Sequence, residues 1–207
     1  MRPASRETVA SRIHVCPDGF VIIYRAPMSN SRRLFFALSL PDVLQQQVIR
    51  WRAEAFAPEA GRPVAAANLH LTLAFLGEVT AQKELALRKL AGRIVQPGFS
   101  MRLDDLGHWP RPGVVWLGTR RAPRGLLQLA ELLRSQAARN GCHQSALPFH
   151  PHITLLRAAT QPVAIPPATP GWAFSADAFS LYESVFENGR TRYQHLEQWP
   201  LAKQASA

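Results

Sequence analysis

Several features that define large classes of proteins are scarce or missing in this chain of 207 residues. Only two cysteines are present, Cys16 and Cys142, too few for a disulfide framework or a cysteine-rich zinc site. No run of about 18 apolar residues occurs, which argues against a transmembrane helix. Neither a Walker-type glycine loop nor a Ser-His-Asp signature is found. The scarcity of cysteine suits a reducing compartment, and we expect a cytoplasmic protein.

Lysine is also scarce, because 21 of the 24 basic residues are arginine. Aspartate and glutamate together number 14, which leaves a formal net charge of +10. The planar guanidinium fork matches phosphate oxygens, and a positive field attracts polyanions. Composition therefore favours a phosphate-bearing partner, although a GC-rich gene would produce the same excess of arginine without a functional reason.

Residues 1–31 differ from the rest of the chain. Met28 precedes a polar run and a strong strand pattern, so we expect it to be the biological start. Residues 1–31 are then an N-terminal extension with little order; the alternative is an extra strand near 20–25 at the edge of a sheet. Without residues 1–27 the chain still carries +8, so the basic character belongs to the remainder. We predict one domain over 32–201 and a C-terminal tail at 202–207.

The remainder repeats a strand–helix–strand pattern. In the first copy, strands at 34–40 and 69–76 flank a helix that begins at Pro41, and the apolar stripe of this helix is Leu44, Val48, Trp51 and Ala55. In the second copy, strands at 114–118 and 149–157 flank a helix over 123–140. The two copies have nearly equal length, which indicates an internal duplication.

The other segments complete an α+β fold. We predict a helix over 80–94, a strand over 99–106, and a loop over the proline-rich residues 160–172. Strands at 176–186 and 191–199 form a hairpin around Asn188-Gly189, a favoured turn pair. The duplication predicts two pseudo-symmetric lobes, each an antiparallel sheet with helices packed outside, and an active cleft between them.

Each copy ends in a His-x-Thr motif. The first is His70-Leu71-Thr72 and the second is His152-Ile153-Thr154. Alternate residues of a strand point to the same face, so each histidine lies beside its threonine while the apolar residues face the core. If a two-fold axis relates the lobes, the two pairs face each other.

Two facing imidazoles can perform concerted acid–base chemistry. Histidine titrates near neutrality, so one ring can be neutral while the other is protonated. The threonine hydroxyls can donate hydrogen bonds to phosphate oxygens and stabilise charge in a transition state. Such a site requires neither a metal ion nor a cofactor, and we predict none.

These motifs, and the sequence around them, closely resemble the bacterial RNA 2′,3′-cyclic phosphodiesterase family, also called 2′-5′ RNA ligase, of the two-histidine phosphoesterase superfamily. The resemblance spans about 32–201 and is carried by residues 33–38, 68–78, 114–118, 148–157 and 189–193. It implies hydrolysis of a 2′,3′-cyclic phosphate at an RNA end to a 2′-phosphomonoester, and reversible 2′-5′ joining. It further implies a monomer acting on RNA, with tRNA fragments as one source of such ends.

The resemblance also assigns roles to residues. His70 is the proton donor to the leaving 3′ oxygen, His152 is the proton acceptor that activates water, and Thr72 and Thr154 hold the phosphate. The family links the position of Arg157 to phosphate contact. Strict alternation from His152 would aim Arg157 away from the site, so this assignment needs a bulge or a strand end.

Other side chains are candidates of a weaker kind. His150 shares the face of His152 and could line the rim of the cleft, or the two could bind a metal, although no third ligand stands at a suitable spacing. The candidates for base stacking are Phe75, Trp109, Trp116, Phe149, Trp172 and Tyr193. The alternatives for function are a related two-histidine enzyme acting on another small cyclic or 2′-5′-linked nucleotide, and a non-catalytic RNA-binding module.

Overall fold

The computed structural model describes residues 12–15, 21–24, 31–167 and 169–203, and the chain divides into two compact units, 1–31 and 32–207. In the smaller unit, β1 (Arg12–Val15) pairs antiparallel with β2 (Val21–Tyr24). β2 therefore lies where the alternative of a strand near 20–25 expected one, and it pairs with β1. The expectation of little order in this extension, and the proposed start at Met28, fall mainly on residues outside those described.

Within its described residues, the larger unit contains three α-helices, each with strands before and after it in the chain. The helices are α1 (Asp42–Ala55), α2 (Ala81–Ala91) and α3 (Arg124–Arg139). The strands are β3 (Ser31–Ser39), β4 (Arg62–Pro63), β5 (His70–Thr80), β6 (Phe99–Leu103), β7 (Asp105–Trp109), β8 (Val114–Gly118), β9 (His152–Arg157), β10 (Trp172–Ala176), β11 (Ala178–Glu187) and β12 (Arg190–Pro200). No helix within the described residues is long and apolar enough to cross a membrane.

The main sheet brings the two copies together at its centre. Its strand order is β12-β11-β3-β5-β9-β8-β7, and β4 pairs with β9 beside this path. β5, which carries the first motif, thus neighbours β9, which carries the second. On one side of this pair lie β3, β11 and β12, and on the other side lie β8 and β7. A second sheet contains β10 and β6. The predicted α+β class with antiparallel sheets is confirmed.

The core lies on one face of the two motif strands. Leu71 and Leu73 of β5, and Ile153 and Leu155 of β9, are almost fully buried, whereas the motif histidines and threonines keep part of their surface. In α1, Leu44 and Val48 are buried as predicted.

The third buried residue of α1 is Arg52, not Trp51 or Ala55, which are only partly buried. Its guanidinium donates hydrogen bonds to the carbonyl oxygens of Val64, at 2.7 Å, and Leu155, at 3.2 Å. Burial lowers the pKa of Arg52, and these carbonyls compensate for the water that the guanidinium loses. Arg52 therefore ties α1 to the end of β9.

Two segments differ from the prediction. The strand expected over 99–106 is two strands, β6 and β7, which separate at Asp104 and join different sheets. The loop expected over 160–172 ends at Gly171, where β10 begins and pairs with β6. The predicted hairpin is confirmed, and its turn residues Asn188 and Gly189 have φ angles of 51° and 73°, as a two-residue turn with a left-handed backbone requires.

Candidate active site

The register of β5 and β9 places both motifs at one spot. Leu71 is the partner of Ile153 in this antiparallel pair. Residues directly opposite each other share a face, and their neighbours on both strands turn to the other face. His70 therefore lies opposite Thr154, and Thr72 opposite His152, all four on the face away from the core. The predicted meeting of the two His-x-Thr pairs is what the register of these strands produces.

The two imidazoles are oriented in the same way. Nδ1 of His70 lies 2.8 Å from the carbonyl oxygen of Asn68, and Nδ1 of His152 lies 2.8 Å from that of His150. Because a carbonyl oxygen only accepts, Nδ1 carries the proton in both rings and donates it. Nε2 is therefore the free nitrogen of each neutral imidazole. In His70 this atom lies 3.0 Å from the hydroxyl oxygen of Thr72.

Aromatic rings surround His70. The centroid of its imidazole lies 4.8 Å from that of Phe35, 4.9 Å from that of Tyr193 and 6.3 Å from that of Tyr182. Burial lowers the pKa of His70 to about 4, and the positive charges of Arg157 and His152 contribute in the same direction. The ring is therefore neutral at pH 7 in the free protein.

His152 has a different environment. Its ring centroid lies 4.8 Å from that of Trp109 and 6.0 Å from that of His150, which itself packs against Trp116. Burial is the main cause that lowers the pKa of His152, and the charges of His150 and Arg157 add to it. His150 is therefore beside the site, through both its ring and its carbonyl group.

A bulge in β9 turns Arg157 toward the histidines. Thr154 pairs with Trp116 and Leu156 pairs with Val115, so Leu155 is the extra residue. Leu155 and Leu156 are both buried in consequence, and the next side chain returns to the face of His152 and Thr154. The charge of Arg157 lowers the pKa of both imidazoles, in agreement with this placement. Alternation alone would have aimed Arg157 away.

Phe75 occupies the position in β5 that Arg157 occupies in β9. Residues 70–75 and 152–157 have the same sequence of half-buried, buried and exposed positions. The side chain of Phe75 is 63% exposed, and its ring centroid lies 6.1 Å from that of Phe35. Of the six aromatic residues considered for stacking, Phe75 therefore combines an open ring with a place beside the site.

Two of the other stacking candidates, and two histidines outside the motifs, have structural partners. Trp116 is buried, and Trp172 packs against Trp51. Nε2 of His108 lies 2.6 Å from the carbonyl oxygen of Ala159, and that of His195 lies 3.3 Å from the hydroxyl of Ser180. Within the part of the chain that the structure describes, no group of three or more His, Cys, Asp or Glu residues is arranged to hold a metal ion.

Sequence reasoning missed two rings of the site, Phe35 and Tyr182. The predicted strand at 34–40 contains Phe35 and is confirmed as β3. β3 packs Phe36 against Phe179 and Trp199 on one face and presents Phe35 to His70 on the other. The signal was available in principle, because adjacent residues of a strand face opposite sides. The sequence does not tell, however, which residues of other strands pack against each face of β3.

Two histidine–threonine pairs that meet on one face of a sheet, with an arginine beside them, define a two-histidine phosphoesterase. A family model described as LigT-like phosphoesterase matches residues 38–116. The chain is 62% identical to the RNA 2′,3′-cyclic phosphodiesterase of Escherichia coli K12 over 85% of its own length and 100% of that protein, and 31% identical to the protein of the same name from Thermus thermophilus, over 82% and 90%.

Solved structures agree with these relatives. E. coli LigT complexed with 3′-AMP has 62% identity and a TM-score of 0.81, over 84% of this chain and 99% of that one. TT0787 of Thermus thermophilus has 30% identity and a TM-score of 0.69, over 84% and 100%. The chain belongs to the bacterial RNA 2′,3′-cyclic phosphodiesterase family.

Proposed function

We propose that this protein hydrolyses RNA 2′,3′-cyclic phosphodiester ends to 2′-phosphomonoesters, with His70 and His152 as the acid–base pair. The observation that carries the proposal is the β5–β9 register, which brings both imidazoles and both threonines to one face. The relatives named for this reaction, and the relative that was solved with 3′-AMP, support a nucleotide substrate.

The reaction needs one proton acceptor and one proton donor. His152 accepts a proton from water at Nε2, and the water oxygen attacks phosphorus in line with the bond to the 3′ oxygen. That bond breaks, and His70 gives the proton on its Nε2 to the departing oxygen. Thr72, Thr154 and Arg157 hold the non-bridging oxygens and stabilise the charge that accumulates on them.

The low pKa of His70 fits the role of donor only when substrate is bound. In the free protein, burial and the positive charge of Arg157 disfavour a charge on the ring, so His70 is neutral at pH 7. A cyclic phosphodiester brings one negative charge to the same place and offsets the positive charge of Arg157. The pKa of His70 therefore rises on binding, and the ring takes up the proton that it later gives to the 3′ oxygen.

The same site accounts for joining. If the 5′-hydroxyl of a second RNA replaces water, His152 removes its proton and the product is a 2′-5′ phosphodiester. In the reverse direction the two histidines exchange roles. We further propose that the protein acts as a monomer in the cytoplasm and that Phe75 stacks on the terminal base, with tRNA fragments among its RNA substrates.

The experiment is a product analysis. A short oligoribonucleotide with a 2′,3′-cyclic end is incubated with the protein in excess chelator, and 2′- and 3′-phosphate ends are separated. We expect only the 2′-phosphate, at a rate that the chelator does not change. A 3′-phosphate product, or loss of turnover on chelation, would contradict the proposal. Turnover of a 2′-5′-linked dinucleotide alone would favour the related enzyme, and binding without turnover would favour the RNA-binding module.

A further inference from the structure

A second arginine stands beside Arg157 in the sheet. Arg62 of β4 is the direct partner of Arg157 across the antiparallel β4–β9 pair. Opposite residues share a face, with Cβ atoms about 4.5 to 5.5 Å apart. The side chain of Arg62 therefore leaves the sheet on the same side as that of Arg157. The sequence around Arg62 gives no sign of this pairing, because its partner Arg157 lies in a distant part of the chain.

Gly61 makes this close pairing possible. Its φ angle is +153°, and a Cβ atom placed there would lie 2.9 Å from the carbonyl oxygen of Arg157. A larger residue would force β4 away from β9. The chain therefore brings the two arginines as close together as backbone contact allows.

Two guanidinium groups in this arrangement repel each other. Like charges directly opposite each other destabilise a sheet. Arg32 and Arg88 show how the protein neutralises other arginines, since they form ion pairs with Glu84, Glu183 and Glu197. Among the described residues, no carboxylate forms such a pair with Arg62 or Arg157. An uncompensated pair of cations at the edge of a phosphate site indicates an anionic ligand with more than one charge.

The two arginines are not equivalent with respect to the histidines. The charge of Arg157 lowers the pKa of both His70 and His152. Arg62 belongs to the neighbouring strand and pairs with β9 at Arg157, the end of β9 opposite to His152. Arg62 therefore lies farther from the reacting phosphate. In an RNA that ends in a cyclic phosphate, the next phosphate can only be the one on the 5′ side of the terminal nucleoside.

We propose that Arg62 binds the phosphodiester immediately 5′ of the terminal nucleotide, so that the protein grips at least two nucleotides of an RNA chain. This inference rests on the proposed function. The guanidinium fork suits a phosphodiester, which offers two non-bridging oxygens. It makes Arg62 a determinant of substrate length, while Arg157 remains with the reacting phosphate.

The test compares two substrates, one of which has an additional upstream nucleotide and therefore the phosphodiester that Arg62 is proposed to bind. These are adenosine 2′,3′-cyclic phosphate and the dinucleotide ApA with the same cyclic end. We expect Arg62→Ala to lower kcat/KM for the dinucleotide about tenfold. The kcat/KM for the cyclic mononucleotide should stay within about twofold of the wild-type value. Arg62→Lys should recover part of the loss, because lysine keeps the charge without the fork. Arg50→Ala, at an exposed arginine of α1, is the matched control.

Equilibrium binding provides a readout that does not depend on turnover. The probes are adenosine 2′-phosphate and the dinucleotide ending in a 2′-phosphate, titrated over a range of salt concentrations. For the dinucleotide, Arg62→Ala should reduce the slope of log K against log salt by about 0.7, the value for one single-strand phosphate contact.

The opposite results are distinct. Equal losses on both substrates would place Arg62 on the reacting phosphate and overturn the inference, as would unchanged values on both. If the wild-type protein hydrolyses neither substrate, the proposed function fails, and the binding comparison still decides the role of Arg62.

Discussion

The two halves of the site have the same backbone and different chemistry. In β5 and in β9, a histidine donates Nδ1–H to the carbonyl two residues earlier, and the following five residues have the same order of burial. Around His70, however, the neighbours are Phe35, Tyr182 and Tyr193. Around His152 they are Trp109 and His150. The sixth position is Phe75 in one half and Arg157 in the other.

In the proposed mechanism, this difference is how a duplicated element yields an acid and a base. The repeated strand supplies two imidazoles with the same orientation and the same free nitrogen. The surroundings of the two rings then differ. Burial lowers the pKa of both, and among the aromatic side chains around His70 it lowers the pKa to about 4. The half that contains His152 contributes the positive charge of Arg157. The symmetry therefore lies in the positions of the groups, while the neighbours of each histidine differ.

The largest expected effect comes from removing either imidazole. His70→Ala and His152→Ala should each lower kcat at least about 100-fold for a cyclic-phosphate substrate, because each removes a general acid or base. The double variant should be only slightly worse than either single one, since the two rings act as a unit. His143→Ala, at an exposed histidine, is the control.

A loss of kcat of less than about tenfold for one of the two variants would contradict the view that both halves contribute to catalysis. It would mean that only one half of the site takes part in the chemistry and that the second motif is structural. Steady-state kinetics on adenosine 2′,3′-cyclic phosphate would decide, since this substrate has no upstream chain.

Smaller losses of activity are expected from the two side chains at the sixth position of each motif strand, Arg157 in β9 and Phe75 in β5. Arg157→Ala should lower kcat about 10- to 100-fold for every substrate, because the guanidinium stabilises charge on the reacting phosphate. Phe75→Ala should lower kcat/KM about tenfold, mainly through KM, since stacking on one base contributes about 1 to 3 kcal/mol to binding. Phe186→Ala is a matched control, because Phe186 is also exposed. A loss of kcat for Phe75→Ala as large as that for Arg157→Ala would contradict this division.

The sequence predicted the parts of the site that follow from local alternation. The two His-x-Thr pairs, the strands that carry them and the hairpin at Asn188-Gly189 all depend on neighbouring residues alone. The orientation of Arg157 depends on the bulge at Leu155, which arises from pairing with β8 and has no local signal.

Long-range pairing also explains the other differences. Arg52 is buried because two carbonyl groups, one from the segment after α1 and one from β9, converge on it. β6 and β7 separate because each has a different partner, β10 and β8. Periodicity can assign such residues to a helix or a strand, but it does not contain the identity of the partner.

The smallest expected effect is the influence of the Arg157 charge, in the second half of the site, on the pKa of His70, in the first. Arg157→Met keeps most of the length of the side chain and removes its positive charge, so the pKa of His70 in the free protein should rise above about 4. It should remain below the ordinary value, because burial by Phe35, Tyr182 and Tyr193 is the larger cause and is unchanged. An NMR titration of the His70 imidazole measures this directly, with Arg93→Met, at an exposed arginine, as control. An unchanged pKa would mean that the charge of Arg157 does not reach the first half, and that the bulge does not unite the two halves electrostatically.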